Sequence, residues 1–546
     1  MEEMRPFSWL IGLGLGGLLV APLGCGSSGD DDATTAGGSS GSSGKGGAGS
    51  AGRATGGGSG TGGSSAAAGR GSGGSATGGG AGTTGGGSGG ATAGRGGSSG
   101  TGGATGGSGG GGTDAGGEGG GGGTPGTCGT IDTFEDRRSP SREVFVDANA
   151  TGSGDGSAAD PFPTLDEALA EATPGTAIRI RPGTYDGGAF ASGISGSADA
   201  PIWIGGVPGL ARPVFVGGSN ALQLSLVSYL VIHDLEVTGQ DSNGINVDDG
   251  EVASGDTNNL VFRGLFIHDI GSGGNQDCLK LSGVDDFVVH SSEFVGCSAG
   301  SAIDHVGCHR GLIADNSFRE LGGNGVQSKG GSDDIAIMRN RFVNAGERAV
   351  NMGGSTGFEF FRGPLSTTEE NFEARNIRVT ANVFQGGISP IAFVGCVGCL
   401  AANNTLYNPE HWVARILQET VSTSEYAFAP ASNGRFVNNV IYYALGDLST
   451  HVNVGADTDP ESFEFSNNLW YAHDAPEDSE PGSLPVPEAN GVYGEDPAFA
   501  NAPDGDFRIA QSSPAAGAGV ALREVDNDLT RNCYAEPPSI GAHEAE

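Results

Sequence analysis

Two patterns divide the chain. From Gly26 to Gly126 large apolar residues are almost absent and no period of two or of 3.6 can be found. From Val144 onward, short alternating runs return again and again. Val144-Phe145-Val146-Asp147 reads as a strand. In Pro161 to Ala172, Leu165, Ala168, Leu169 and Ala172 share one helical face. Ile178-Arg179-Ile180 alternates again and ends at the Pro182-Gly183 turn. A smaller unit then recurs: an alternating strand, an Asn, any residue, and a large apolar residue. It reads Asn316-Ser317-Phe318, Asn340-Arg341-Phe342, Asn382-Val383-Phe384, Asn404-Thr405-Leu406, Asn439-Val440-Ile441 and Asn468-Leu469-Trp470. Phe318 to Phe342 is 24 residues and Phe384 to Leu406 is 22; longer intervals mark intruding loops.

A period in the low twenties is one coil of a parallel β-helix, three short strands joined by three turns. Stacked coils repeat about every 4.8 Å, so the amides of a recurrent Asn can hydrogen-bond along the stack. The apolar residue two positions later then fills the interior. Leucine-rich repeats share this period, but their Leu pattern is absent. The strand–helix–strand opening resembles the N-terminal cap of pectin-lyase-like β-helices, in which an amphipathic helix covers the open end of the coil stack. The segments from Asp496 to Ile509 and from Asp526 to Glu544 resemble the tail of the same family. The resemblance spans about Ser141 to Glu544. It implies an all-β fold, a right-handed parallel β-helix with a short N-terminal capping helix, expected over residues 128–546.

Composition adds a compartment. The run from Phe7 to Leu23 follows Arg5 and ends at Pro22-Leu23-Gly24-Cys25, which resembles a bacterial lipobox with Cys25 as the lipidated residue. An ordinary cleaved signal and an uncleaved membrane helix are the alternatives. The next hundred residues hold nearly half of the 106 glycines. They bury too little to offset the entropy of ordering and are expected to form a disordered tether, with a root-mean-square span of roughly 55 Å. The expected location is the cell envelope or cell surface, with the membrane touched only through the N-terminal lipid. Nearly all of the formal charge of −37 falls on the folded part, which argues against nucleic acid as a partner. Extracellular polysaccharide is the expected partner, and the folded part is expected to be monomeric. Without Cys25, seven cysteines remain, an odd number of unreadable connectivity. Cys396-Val-Gly-Cys399 reads as a local disulfide or as two turn residues of the β-helix, ahead of a redox or zinc motif.

Stacking the strands by their following glycine turns gives one candidate site. Leu279, Ile303, Val326, Ala349 and Ile391 are expected inward, with Lys280, Asp304, Gln327, Lys329 and Arg348 on one outward face. The strand Val326-Gln327-Ser328-Lys329 is similar to the lysine strand of the chondroitinase B and alginate lyase group, which implies Lys329 as base. Met352 then stands where that group carries arginine, and Arg348 or Lys280 is the expected charge stabiliser beside Asp304. Asp241-Ser242-Asn243-Gly244-Ile245-Asn246 and Gln276-Asp277-Cys278 echo the polygalacturonase group, without its full carboxylate set. Asp248, Asp249 and Glu251 resemble the acidic loops of Ca²⁺-dependent pectate lyases, which implies Ca²⁺ as the one candidate cofactor. Gln327 and Arg415 are the expected substrate-binding residues. The loop from Ser355 to Ala374, with Phe358, Phe360, Phe361 and Arg362, and the segment around Trp412 are candidate walls. Two functions remain: a polysaccharide lyase working by β-elimination, or a glycan-binding or adhesion module without catalysis.

Overall fold

A computed structural model describes residues 128–546 apart from 253–254, 272–273 and 298–299. Cys25 and the glycine-rich stretch lie outside the described residues. Where the chain is described, each coil lays down one strand in each of three sheets. Ile202–Gly206 belongs to the first sheet, Val214–Val216 to the second and Leu222–Ser225 to the third, and Ser228–His233 returns to the first. The three sheets hold 14, 12 and 10 strands, and the pairing between successive coils is parallel throughout. The chain is a parallel β-helix. No helix among the described residues is long and apolar enough to cross a membrane.

The interior is built from columns of like residues. In the second sheet Phe294, Phe318, Phe342 and Phe384 stack with ring centroids 5.1, 4.6 and 4.8 Å apart. Leu406, Ile441 and Trp470 continue the column in register. These are the apolar residues of the recurrent unit, and all are buried. Leu165–Ala170 forms the one α-helix among the described residues, with Thr164 accepting from the Glu167 N–H at its start. Leu165, Ala168 and Leu169 are buried, and the helix packs on the strands Arg142–Val146, Thr176–Ile180 and Ala189–Ser192.

The recurrent Asn forms a continuous ladder along the turn between the first and second sheets. Asn316, Asn340, Asn382, Asn404, Asn439 and Asn468 are all buried. The Asn316 Oδ1 accepts from Ser292 N at 2.9 Å, and each later Oδ1 accepts the main-chain N–H and the amide of the Asn one coil earlier, as Asn404 does from Asn382 at 3.0 and 3.1 Å. Each Nδ2 also donates to a main-chain carbonyl, Asn382 to Ile337 at 2.9 Å. The last rung is Glu488, which accepts Asn468 N and Nδ2 at 3.0 and 2.7 Å and the Trp470 indole N–H at 2.8 Å. The residue before each of the six Asn rungs has a positive φ, including Asp315, Arg339 and Ala381. These non-glycine residues accept a left-handed backbone because the turn must present the next amide to the ladder.

Three disulfides close the described part: Cys128–Cys533, Cys278–Cys297 and Cys396–Cys399. The local pairing expected for the CxxC is found. Cys308 is a buried thiol, pushed up to about 12 by burial. Asn382→Leu would leave the Asn340 amide and main-chain N–H without their acceptor. A loss of about 3 kcal/mol is expected, read as a lower urea midpoint. An unchanged midpoint would show that the rungs do not hold the coils together.

Candidate functional site

The outward row of the third sheet runs in register through Phe190, Gln223, Asn246, Lys280, Asp304, Gln327, Asn351, Ala392, Arg415 and Asn453. At the usual strand spacing this row is about 43 Å long. Lys280, Asp304 and Gln327 lie side by side as the sequence implied. The coil above them is shifted by one residue from the expected stacking. Val350, not Ala349, continues the inward column, and Asn351 takes the outward place. Arg348 pairs with Asn324 at the start of the strand. Met352 pairs with Ser328 and Phe393, is buried, and faces inward. It therefore does not occupy an arginine's place on the outer face. The cause is the turn. Gly353 is still in the strand, opposite Val394, and the chain leaves at Gly354. Taking Gly353 as the counterpart of Gly330 slips the register by one, which swaps the two faces.

The centre of the row is a buried charge cluster. Asp304 Oδ2 accepts from the Lys280 ammonium and lies 3.6 Å from Lys329 Nζ. Lys280 Nζ is also 3.3 Å from Asp277 Oδ2. The side chains of Asp277 and Asp304 are 2% and 1% exposed, those of Lys280 and Lys329 16% and 12%. Burial, reinforced by the Asp304 charge, pushes the Asp277 carboxyl up to about 6. Burial also works against the charge of Asp304, but Lys280 and Lys329 outweigh it and hold that carboxyl below its ordinary range. Lys280 is raised in turn: burial opposes its charge, and Asp304 and Asp277 overcome it. Two carboxylates and two ammoniums thus compensate one another. Inside the coil His305 Nδ1 donates to Gln327 O, 3.0 Å away, and the ring stacks on Phe287; burial pushes it down to about 4.

Asp277 was missed as a site residue, although a spacing marks it. It precedes Lys280 by three, as Asn220 precedes Gln223 and Asn243 precedes Asn246. These residues form a second ladder. Asn243 N donates to Asn220 Oδ1 at 3.0 Å, Asp277 N to Asn243 Oδ1 at 2.9 Å, and Ser301 N to Asp277 Oδ1 at 2.7 Å. One oxygen of Asp277 therefore holds the backbone and the other faces Lys280.

The remaining candidates are dispersed. Arg348 Nη2 meets Glu419 Oε1 at 2.6 Å. Gln327 is nearly buried, with Ser301 Oγ and Asn324 Nδ2 both donating to its Oε1 at 3.2 Å. Arg415 lies over the Trp412 ring at 4.1 Å and donates to Asn453 Oδ1 at 3.1 Å. Asp248, Asp249 and Glu251 are not gathered into a cation site. Asp248 accepts from Ser225 Oγ and Gln223 Nε2 on the outer face, both at 2.7 Å, while Asp249 is buried 3.5 Å from Arg362 Nη1. Among the described residues no group of three or more His, Cys, Asp or Glu side chains is arranged to hold a metal ion.

The two candidate walls are fastened by one group. Glu373 is buried and accepts from Gly330 N at 2.8 Å, from Thr356 N and Oγ1 at 2.9 and 2.7 Å, and from Thr420 Oγ1. It ties the loop after Gly354 and the segment after Glu419 to the turn that follows Lys329. Phe358 and Phe361 pack on Phe428 across the two segments.

No family model and no curated protein matches the chain. Solved structures that resemble it include a pectate lyase, Pel9A, at 18% identity, covering 76% of this chain and 100% of that one, with a TM-score of 0.41. An alginate lyase from Paenibacillus sp. str. FPU-7 is 16% identical, with coverages of 59% and 99% and a TM-score of 0.38. A rhamnogalacturonan lyase is 16% identical, with coverages of 60% and 87% and a TM-score of 0.39. At these values the strand pairing of the chain itself carries the fold.

Asp277 and His305 make opposite contributions to stability. The raised Asp277 carboxyl stabilises the fold at low pH, and that contribution is lost as pH rises through about 6. The lowered His305 stabilises it above pH 6.5, and that contribution is lost as pH falls through about 4. Asp277→Asn keeps the ladder acceptor and removes the first effect. The variant's unfolding midpoint is expected to drop more steeply than the parent's between pH 6.5 and pH 4. Equal slopes would mean that Asp277 keeps its charge when folded.

Proposed function

We propose that the protein binds an extracellular polysaccharide laid along the outward face of the third sheet, held at the cell envelope by a lipid on Cys25. The observation that carries this reading is the row from Phe190 to Asn453: an extended, mostly polar strip of one side chain per coil, exposed or half-buried towards both ends and buried at Asp304, Gln327, Asn351 and Ala392. Such a strip suits a chain ligand better than a compact small molecule, which calls for a concave pocket. The charge cluster at its centre supports binding rather than elimination. Both ammoniums already face Asp304, and a lysine ammonium must first lose its own proton, which the facing carboxylate opposes, before it can act as a base.

A second reading has one observation in its favour. Lys280, Asp304 and Lys329 come together in a mostly buried group, and such groups concentrate at functional sites. In that reading Lys329 takes the proton α to a uronate carboxylate, and Lys280 or Arg348 stabilises the charge that develops. Ultraviolet absorbance of unsaturated uronates separates the two. The protein, incubated with uronate polysaccharides with and without Ca²⁺, is expected to give a flat trace. A rising trace that Lys329→Ala abolishes would replace the binding reading with the lyase reading.

A further inference from the structure

We propose that the first third of the outward row is a subsite for an uncharged polysaccharide, with Phe190 as its stacking ring and Gln223 and Asn246 as its hydroxyl-reading groups. This subsite rests on the glycan-binding reading and names the class of glycan. Phe190 is 56% exposed, whereas Ala189 and Ala191 beside it are buried. Its main-chain N–H donates to Asp166 at 3.0 Å, which fixes this strand to the helix. The ring is in register with Gln223, and Gln223 with Asn246. A flat apolar ring therefore adjoins two carboxamides at intervals of about 4.8 Å. A pyranose offers the complementary surface, an apolar C–H face with hydroxyls at its edge.

The carboxamides are fixed before any ligand arrives. Asn246 Nδ2 donates to Gln223 Oε1 at 2.9 Å, and Gln223 Nε2 donates to Asp248 Oδ2 at 2.7 Å. Asn220 and Asn243 orient the same two groups from the preceding turn, at 3.1 and 3.3 Å. After these bonds, Gln223 Nε2 keeps one hydrogen and Asn246 Oδ1 one lone pair. One donor beside one acceptor matches a hydroxyl, which does both. A carboxylate only accepts, and here it would face Asn246 Oδ1 and the anionic Asp248.

Charge along the rest of the face points the same way. Lys280 and Lys329 are matched by Asp304, Arg348 by Glu419 and Arg362 by Asp249. Arg415 is turned onto Trp412 and Asn453. To gain a cation, a uronate chain would have to break one of these ion pairs or draw Arg415 away from Trp412 and Asn453. It would also approach a chain of net charge −37.

Calorimetric titration of the full chain tests this with two uncharged polysaccharides, a galactomannan and a mixed-linkage glucan, and two uronates, polygalacturonate and alginate, each at low and high salt. Binding to an uncharged polysaccharide, insensitive to salt, is expected. Phe190→Ala should weaken it about 10-fold, and Phe190→Trp should retain it. Because Phe190 is exposed, both variants should keep the parent's circular dichroism. Tighter binding to a uronate, or full affinity in Phe190→Ala, would overturn the subsite and leave the glycan-binding reading standing. No binding to any of the four would overturn both.

Discussion

The structure depends on one repeated hydrogen bond, from the main chain and amide of one asparagine to the side-chain oxygen of the next. Sheet pairing alone fixes spacing but not register, because parallel strands of similar residues can slide past each other by two at little cost. The asparagine ladder removes that freedom. Each rung must sit under the next to satisfy a buried amide, and an amide left unpaired inside costs more than a displaced apolar contact. The ladder also explains how coils of unequal length coexist. Asn340 and Asn382 are 42 residues apart, yet their bond is the same as that between Asn382 and Asn404, 22 apart. Insertions leave the stack between rungs and return to it at the next one. Glu488 ends the series with a carboxylate where the last amide hydrogens converge.

That logic decides what could be read from the chain. The Asn-x-apolar unit is legible because both of its residues are buried for separate reasons, so the pattern survives every insertion. The phenylalanine column and the rungs are placed as the unit implies. The outer face is less legible, because its row changes residue type from coil to coil and no recurrent unit marks it. Lys280 over Asp304 is readable from a 24-residue offset without an intruding loop. Two coils beyond Asp304 the cue is a pair of adjacent glycines, Gly353 and Gly354, and the choice between them moves Arg348 and Met352 to different surroundings. Glu373 has no local signature at all: its four donors come from three separate segments.

The charge cluster shows how a β-helix tolerates ions near its core. Asp277 shares a ladder position with asparagines, so its carboxylate replaces a carboxamide without disturbing the backbone. The negative charge so introduced is answered by Lys280 from the same strand, and Asp304 from the next coil draws in Lys329. A group of this kind is expensive to assemble and more expensive to break singly. It acts as a fixed, nearly neutral plate in the middle of the face, with amide-rich and arginine-bearing stretches on either side.

The Cys128–Cys533 bond joins the first described residue to the last fifteen. Cys533 lies in a tail that crosses the middle of the stack, where Arg531 meets Asp315 at 2.7 Å and Asn527 accepts from Arg339 at 2.7 Å. A pull on the chain ahead of Cys128 therefore does not enter at the first coil alone. It is shared with a belt that grips the stack halfway along. Solenoids fail under load by peeling from a free end, one coil after another. Here the first described residue is riveted to the centre, so force applied at Cys128 would be met by many coils sheared together rather than by one coil unzipped.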